Sequence, residues 1–353
     1  MHNKSHTTHT LHSGNTLRRK GLGLTLASAV LLSGLGLPAL AQAEGQLRIA
    51  QQFGIVYLLL NVAQDQKLIE KHGKEEGVDI KVEYLQLSGG AAVNDALLSG
   101  SVDIAGAGTG PLFTLWDRTK GRQNVRAVVA TGNFPYYLIS NNPNVKTIAD
   151  LTDKDRIAIP AVGVSVQSRF LQQASAEQWG DKAYNRLDKL QVAIPHPEAT
   201  AAIISGGTEI TTHFSNSPFQ EQALAGNPNA HIILNSYQVT GGPNSPVVLY
   251  ATEKFRQDNP RTYRAFVNAI AEAADFASAR PEEAADAFIR VTKSRIDREL
   301  LLSILKSPEV SFSVTPHNTL QLGQFLYRVG AIKNKPESVK DYFFDDKHIE
   351  AGS

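Results

Sequence analysis

Leu85-Gln-Leu-Ser-Gly-Gly-Ala-Ala-Val-Asn-Asp-Ala-Leu-Leu-Ser-Gly-Ser-Val-Asp-Ile-Ala-Gly-Ala-Gly-Thr-Gly-Pro-Leu-Phe113 holds two short apolar strands, each running into a small-residue turn that opens a helix. Turns of this kind aim free backbone N–H groups beyond the strand ends. In an open α/β sheet ligands bind there, and helix N-termini suit anionic groups because amide donors and the positive end of the dipole converge. The stretch reads as β-α-β-α, with Ser88, Gly89, Gly90, Thr109 and Gly110 as candidate contacts. N-capping alone also accounts for Ser88 and Thr109.

The same alternation extends outward. Residues 47–50, 79–84, 102–105 and 125–131 have strand character, and helical periodicity covers 56–72, with Leu58, Val62, Leu68 and Ile69 apolar, then 91–98 and 111–118. Such an order implies right-handed βαβ units and a buried, mostly parallel sheet. After a strand at 136–140 a second set follows: a strand at 156–159, a turn at 162–165, a helix through 178 and a strand at 190–194. The segment at 199–210, with Ile-Ile-Ser-Gly-Gly-Thr-Glu-Ile, echoes Leu-Leu-Ser-Gly-Ser-Val-Asp-Ile at 97–104. Two lobes of one architecture are expected. Past the strand at 247–251 the pattern turns helical, at 260–279, from Pro281, at 300–305 and at 320–329.

The chain has 353 residues, 42% of them hydrophobic, enough for two moderate cores. Its net charge of +1 includes Lys4, Arg18, Arg19 and Lys20, so the remainder carries fewer basic than acidic side chains, which argues against nucleic acid as a partner. Residues 1–43 read as an export signal: a basic start, an apolar run at 21–37 and small-residue sites, with cleavage expected near Ala43. The run is short and Gly-rich for a membrane anchor, and Pro38 ends it. Histidines 2, 6, 9 and 12 would leave with that segment. The absence of cysteine removes disulfides, thiolate metal sites and cysteine nucleophiles.

Further candidates lie at other strand ends. Gln52 and Phe53 follow the first strand, where an amide bonds a ligand and a ring covers it. Ser165 and Gln167 occupy the matching turn of the second set, to face the first across a cleft. His213, beside Phe214, ends a buried-looking strand and offers one donor to an anion, although a lone histidine there also serves structure. Asn133 lies where the chain leaves the first lobe. Glu198 opens a helix, where a carboxylate also favours the dipole. A Ser165/His213 hydrolytic pair lacks the Gly-x-Ser-x-Gly surroundings of a nucleophile elbow.

Taken together, Leu47-Arg-Ile-Ala, Ser88-Gly-Gly, Leu97-Leu-Ser-Gly-Ser-Val-Asp-Ile-Ala, Gly108-Thr-Gly-Pro and Gly207-Thr-Glu-Ile-Thr-Thr-His-Phe-Ser-Asn-Ser-Pro-Phe219 resemble the nitrate, taurine and alkanesulfonate family of periplasmic substrate-binding proteins of ABC transporters. Many relatives place a Trp-Glu-Pro-like sequence at 213–219, and this chain departs from that. The resemblance implies a two-lobed periplasmic-binding-protein fold of type II-like form, each lobe a mostly parallel sheet flanked by helices, with a helical C-terminal part. The expected division is lobe 1 at 44–134 and 247–345, lobe 2 at 135–246, and a loose tail at 346–353. Implied function is capture of a small organic anion (a sulfonate, sulfate ester, nitrate-like or aromatic carboxylate ligand) and delivery to ABC permease and ATPase subunits at the inner membrane, by a monomeric periplasmic protein without catalytic residues, metal or cofactor. One alternative is a pyrimidine or thiamine-precursor ligand stacked by Phe53, Phe214, Phe219, Tyr136 or Tyr137. The other is an exported enzyme on the same fold, although the related enzymes rely on cysteine.

Overall fold

The computed structural model describes residues 44–353; the expected export signal and the histidines at 2, 6, 9 and 12 lie outside the described residues. Among the described residues, the strands β1 (Gln46–Gln51), β2 (Lys81–Gln86), β3 (Ile104–Gly108), β4 (Arg126–Ala130), β5 (Tyr137–Ser140), β6 (Ile157–Ile159), β7 (Gln191–Ala193), β8 (Thr212–Phe214), β9 (His231–Asn235) and β10 (Val247–Ala251) build two sheets. Their orders are β2-β1-β3-β10-β4 and β7-β6-β8-β5-β9. In each, one strand runs against the rest: β10 is antiparallel to β3 and β4, and β5 to β8 and β9. The two odd strands directly follow the two passages of the chain between the sheets, so each passage starts a sheet's reversed strand. This is the two-lobed α/β architecture expected of the sequence.

In lobe 1, α1 (Leu58–Asp65), α2 (Leu68–Glu75), α3 (Gly90–Leu98) and α4 (Thr109–Thr119) cover the first sheet. The single helix expected at 56–72 is two. Val62 and Leu68 stand six residues apart, out of phase with two helical turns, and the chain corrects the phase at Lys67, whose φ is 54°. The third strand begins at Ile104 rather than at residue 102 and runs through the small residues to Gly108. Val102 instead closes the end of α3, its N–H donating to the Ala96 carbonyl. Arg48 fastens the start of this strand, its guanidinium donating to both carboxylate oxygens of Asp103 at 2.7 and 3.0 Å.

In lobe 2, α5 (Val166–Trp179), α6 (His196–Ser205), α7 (Phe219–Gly226) and α8 (Ser236–Val239) flank the second sheet. The echoed Thr-Glu-Ile at 208–210 is loop, not strand. Gly206 and Gly207 take φ values of 61° and 69°, and pairing resumes at Thr212, whose N–H donates to the Arg156 carbonyl.

The C-terminal helices are α9 (Glu253–Asp258), α10 (Pro260–Ala279), α11 (Pro281–Thr292), α12 (Arg298–Leu305) and α13 (Leu320–Arg328). The first long one spans the residues expected, because Pro260 supplies an N1 start and Pro281 forces a restart. α10 packs on α1 and α2, and α11 on α1, so these helices enlarge the core of lobe 1. The tail expected to be loose is docked. Ile349 is buried, His348 Nε2 sits 2.7 Å from the Val128 carbonyl, and Ser353 exchanges backbone hydrogen bonds with Thr319 and Pro316. An apolar residue one helical turn before the terminus anchors what polar composition alone left free.

Candidate functional site

Four helix N-termini meet between the sheets. Gly90 opens α3, Gly108 caps α4, Ser165 caps α5 and His196 opens α6, and all four line one small cavity of about 20 Å³. Each follows the C-terminal end of a strand, which is why strand–turn–helix units repeated in two lobes deliver them to one place. The first passage between the lobes contributes Tyr136 to the same wall, and β10 its first residue, Val247. Among the described residues, no Asp, Glu, Lys or Arg lines this space. Its polarity comes from amides, hydroxyls, one imidazole and the positive ends of helices.

From lobe 1, the Gln52 amide donates to Tyr57 Oη at 3.1 Å, and that phenol donates to the Gly106 carbonyl at 3.3 Å. Burial raises the Tyr57 pKa well above the usual phenol range, so the group stays a neutral donor. From lobe 2, Ser165 Oγ accepts the Ser168 N–H and Gln167 Nε2 lies 3.1 Å from His196 Nε2. The other ring nitrogen of His196 lies 2.8 Å from His213 Nε2. Burial lowers the His196 pKa to about 3; burial, then the neighbouring imidazole, drives His213 well below the ordinary value. Both rings are therefore neutral, each with one N–H, and a single hydrogen bond joins them, while His213 Nδ1 is buried without a partner among the described residues.

The lobes touch around this cavity. Asn216 Nδ2 donates to the Phe53 carbonyl at 3.3 Å and the Ile55 N–H to the Ser217 carbonyl at 2.9 Å. A Cβ added to Gly110 would lie 2.6 Å from the Val164 carbonyl oxygen, and one added to Gly89 would overlap that of Pro160. Phe219 stacks on His196 with ring centroids 5.7 Å apart and meets Phe53 edge-on at 6.5 Å, continuing the contact across the cleft.

Of the candidates from the sequence, Gln52, Phe53, Gly90, Ser165 and Gln167 are brought to the cavity wall. Gly89 and Gly110 sit instead where lobe 1 meets the lobe 2 backbone. Thr109 is buried, its N–H held by the Pro246 carbonyl. Ser88 is exposed and Gly89, not Ser88, caps α3. Asn133 lies in the first passage, where it accepts the Ser245 hydroxyl of the second at 3.0 Å and pairs with Ser311. His213 stands behind His196, and Phe214 is wholly core. Glu198 is exposed in the first turn of α6. Ser165 and His213 make no hydrogen bond with each other.

His196, Tyr57 and Asn216 join the wall without having been singled out as ligand contacts from the chain, and Tyr136, a candidate only for the stacked-ring alternative, lies there too. His196 carried a legible signal: Pro195 and Pro197 fix a helix start directly after a strand, the arrangement already recognised at three other turns.

Residues 74–284, more than half of the chain, match the sequence profile of the family described as NMT1/THI5 like. The chain belongs to the NMT1/THI5-like family. The matched span holds every candidate contact and wall residue except Gln52, Phe53 and Tyr57, which precede it. No curated protein sequence matches this NMT1/THI5-like chain. Solved structures match it at low identity and show its fold. The alkanesulfonate-binding protein from Xanthomonas axonopodis pv. citri bound to MOPS is 17% identical over 83% of this chain and 96% of that one, with TM-score 0.64. The periplasmic nitrate-binding protein from Synechocystis PCC 6803 is 15% identical over 85% and 84%, with TM-score 0.64. The Candida albicans CA3427 gene product, described as having the generic periplasmic binding protein structural fold, is 16% identical over 86% and 99%, with TM-score 0.62. The NMT1/THI5-like chain thus has the periplasmic-binding-protein fold.

Proposed function

We propose that this protein is the solute-binding component of an ABC importer. In this reading it is exported, cleaved near Ala43, captures a small organic anion between lobe 1 (44–134 and 247–345) and lobe 2 (135–246), and delivers it to permease and ATPase subunits at the inner membrane. The observation that carries the proposal is the convergence of four helix N-termini on a cavity without an acidic side chain. The sulfonate- and nitrate-binding neighbours of the same fold support the class. Affinity would come from amide donors, hydroxyls and lobe closure. The present space of about 20 Å³ holds roughly one water, so a solute enters only as the lobes part, with the paired passages at Asn133 and Ser245 as the hinge.

The ring surface made by His196, Phe219 and Phe53 supports a second reading, in which a flat pyrimidine-like ligand replaces the anion. Binding without chemistry is favoured over catalysis, since Ser165 and His213 are engaged elsewhere. Calorimetric titration of the protein from Glu44 onward, against nitrate, taurine, alkane- and arylsulfonates, aromatic carboxylates and pyrimidines, tests all three. An anion that binds and is recovered unchanged supports the first reading. Binding confined to pyrimidines replaces it with the second, and recovery of an altered compound overturns the assignment as a binding protein.

A further inference from the structure

A second and larger cavity, about 220 Å³, adjoins the central one and shares Gln52 and Phe53 with it. It lies between the end of β1, α1, the end of α11 and the N-terminal ends of α6 and α7, so both lobes form its walls. Five carboxamide residues line it: Gln51, Gln52, Asn61, Gln86 and Gln222. Three phenyl rings, of Phe53, Phe219 and Phe288, supply apolar surface, and among the described residues no ionisable side chain lines it.

Two of these carboxamides are hard to explain as structure. Gln51 is 8% exposed and Asn61 2% exposed, yet among the described residues neither Gln51 Oε1 nor Asn61 Oδ1 has a partner. A buried acceptor without a donor destabilises the fold that holds it, and an apolar side chain of the same size would serve better. Gln51 and Gln86 are register partners on the parallel strands β1 and β2, so their side chains leave the same face as neighbours. The wall therefore combines carboxamide residues with phenyl rings, and two of those residues each keep one unsatisfied acceptor sealed from solvent.

We propose that this cavity is a second binding site, for an uncharged solute that carries an amide or ureido group on an apolar ring. A carboxamide pairs with such a group through one donated and one accepted bond, and the ring lies against the phenyl groups. A carboxylate of the same shape brings acceptors to acceptors and finds no cation. The site does not depend on the anion reading of the central cavity. Because Asn61 and Phe288 belong to lobe 1 and Phe219 and Gln222 to lobe 2, its occupant holds the lobes together.

The test uses the isosteric pair benzamide and benzoate, with phenylurea as a second probe, titrated calorimetrically into the protein from Glu44 onward. Benzamide or phenylurea binds at least tenfold tighter than benzoate. Asn61→Leu lowers that affinity at least tenfold while melting higher than the parent, a combination that a merely structural asparagine would not give. Gln222→Ala, at the half-buried rim, repeats the loss of affinity if Asn61→Leu fails to fold. Equal or stronger binding of benzoate, no binding of either amide probe, or full affinity in the variants that fold overturns the proposal. Ethanesulfonate, run in parallel, reports on the central cavity: its failure to bind with benzamide retained sinks the anion reading alone, and the converse sinks this site alone.

Discussion

His196 Nδ1 lies 2.8 Å from His213 Nε2, and both imidazoles are buried in lobe 2. Folding takes two groups that protonate near pH 6.5 when exposed and holds them neutral, His196 down to about 3. Below pH 6.5 the unfolded chain therefore binds more protons than the folded one, so the stability contributed by this pair is fully present above pH 6.5 and is lost as pH falls toward the folded values.

The size of that loss can be measured. At about 1.4 kcal/mol per pH unit, His196 alone removes about 2 kcal/mol between pH 6.5 and 5. Urea unfolding at pH 7.5 and pH 5 reads the difference. The double variant His196→Gln with His213→Gln is expected to lose less stability over that range than the parent, and an equal loss in both proteins would show that the pair is not the source.

The docked tail gives a second expectation. Removing residues 346–353 exposes the site of Ile349 and breaks the bonds from His348 to Val128, Tyr263 to Asp346 and Thr319 to Ser353. Burial of an isoleucine is worth about 1.5–3 kcal/mol and each hydrogen bond about 1 kcal/mol. Truncation after Asp345 should cost about 4.5–6 kcal/mol in chemical denaturation; a loss under about 1 kcal/mol would restore the loose tail.

Tyr137 and Tyr237, both in lobe 2, grip one residue beyond α12: the first phenol donates to the Glu309 carboxylate at 2.9 Å and the second to its carbonyl at 2.8 Å. The carboxylate contact is solvent-exposed, so its worth is about 1 kcal/mol. Tyr137→Phe should lower stability by that amount and Glu309→Gln by less, because the amide oxygen still accepts the phenol proton. Equal effects, read by urea unfolding, would mean that the carboxylate charge matters more than the hydrogen bond.

Strand–turn–helix order was legible because it is written locally, in apolar runs, small-residue turns and prolines, and α10 follows directly from Pro260 and Pro281. The break at Lys67 needed only closer attention to the six-residue interval from Val62 to Leu68. What the chain could not display is contact between distant segments. Gly89 reads as a ligand-facing turn until Pro160 is seen across from it, and His213 reads as a lone histidine until α6 brings His196 to its ring. Gln167 reaches the wall of the central cavity because its turn repeats the geometry of lobe 1. Asn61 gave no signal at all, since a polar residue within an apolar helix declares itself only by what surrounds it.

Gly89 offers the sharpest separation of closure from folding. Its backbone is extended, with φ −166° and ψ 160°, a conformation any residue adopts, so alanine introduces no local strain. The obstacle to a side chain there is the Pro160 carbonyl of the opposite lobe. Gly89→Ala should therefore leave unfolding free energy within about 1 kcal/mol of the parent, since a compatible Gly→Ala change acts mainly on the unfolded chain. The lobes, however, can no longer meet. Small-angle scattering should show a larger radius of gyration, and affinity for whatever fills the central cavity should fall in proportion to the lost closed population, about tenfold for each 1.4 kcal/mol by which closure is penalised. Ser88→Ala, one residue earlier and exposed, should change neither quantity. If Gly89→Ala scatters and binds like the parent, the contact with Pro160 yields without cost, and closure is governed by the Asn216 and Ile55 bonds instead.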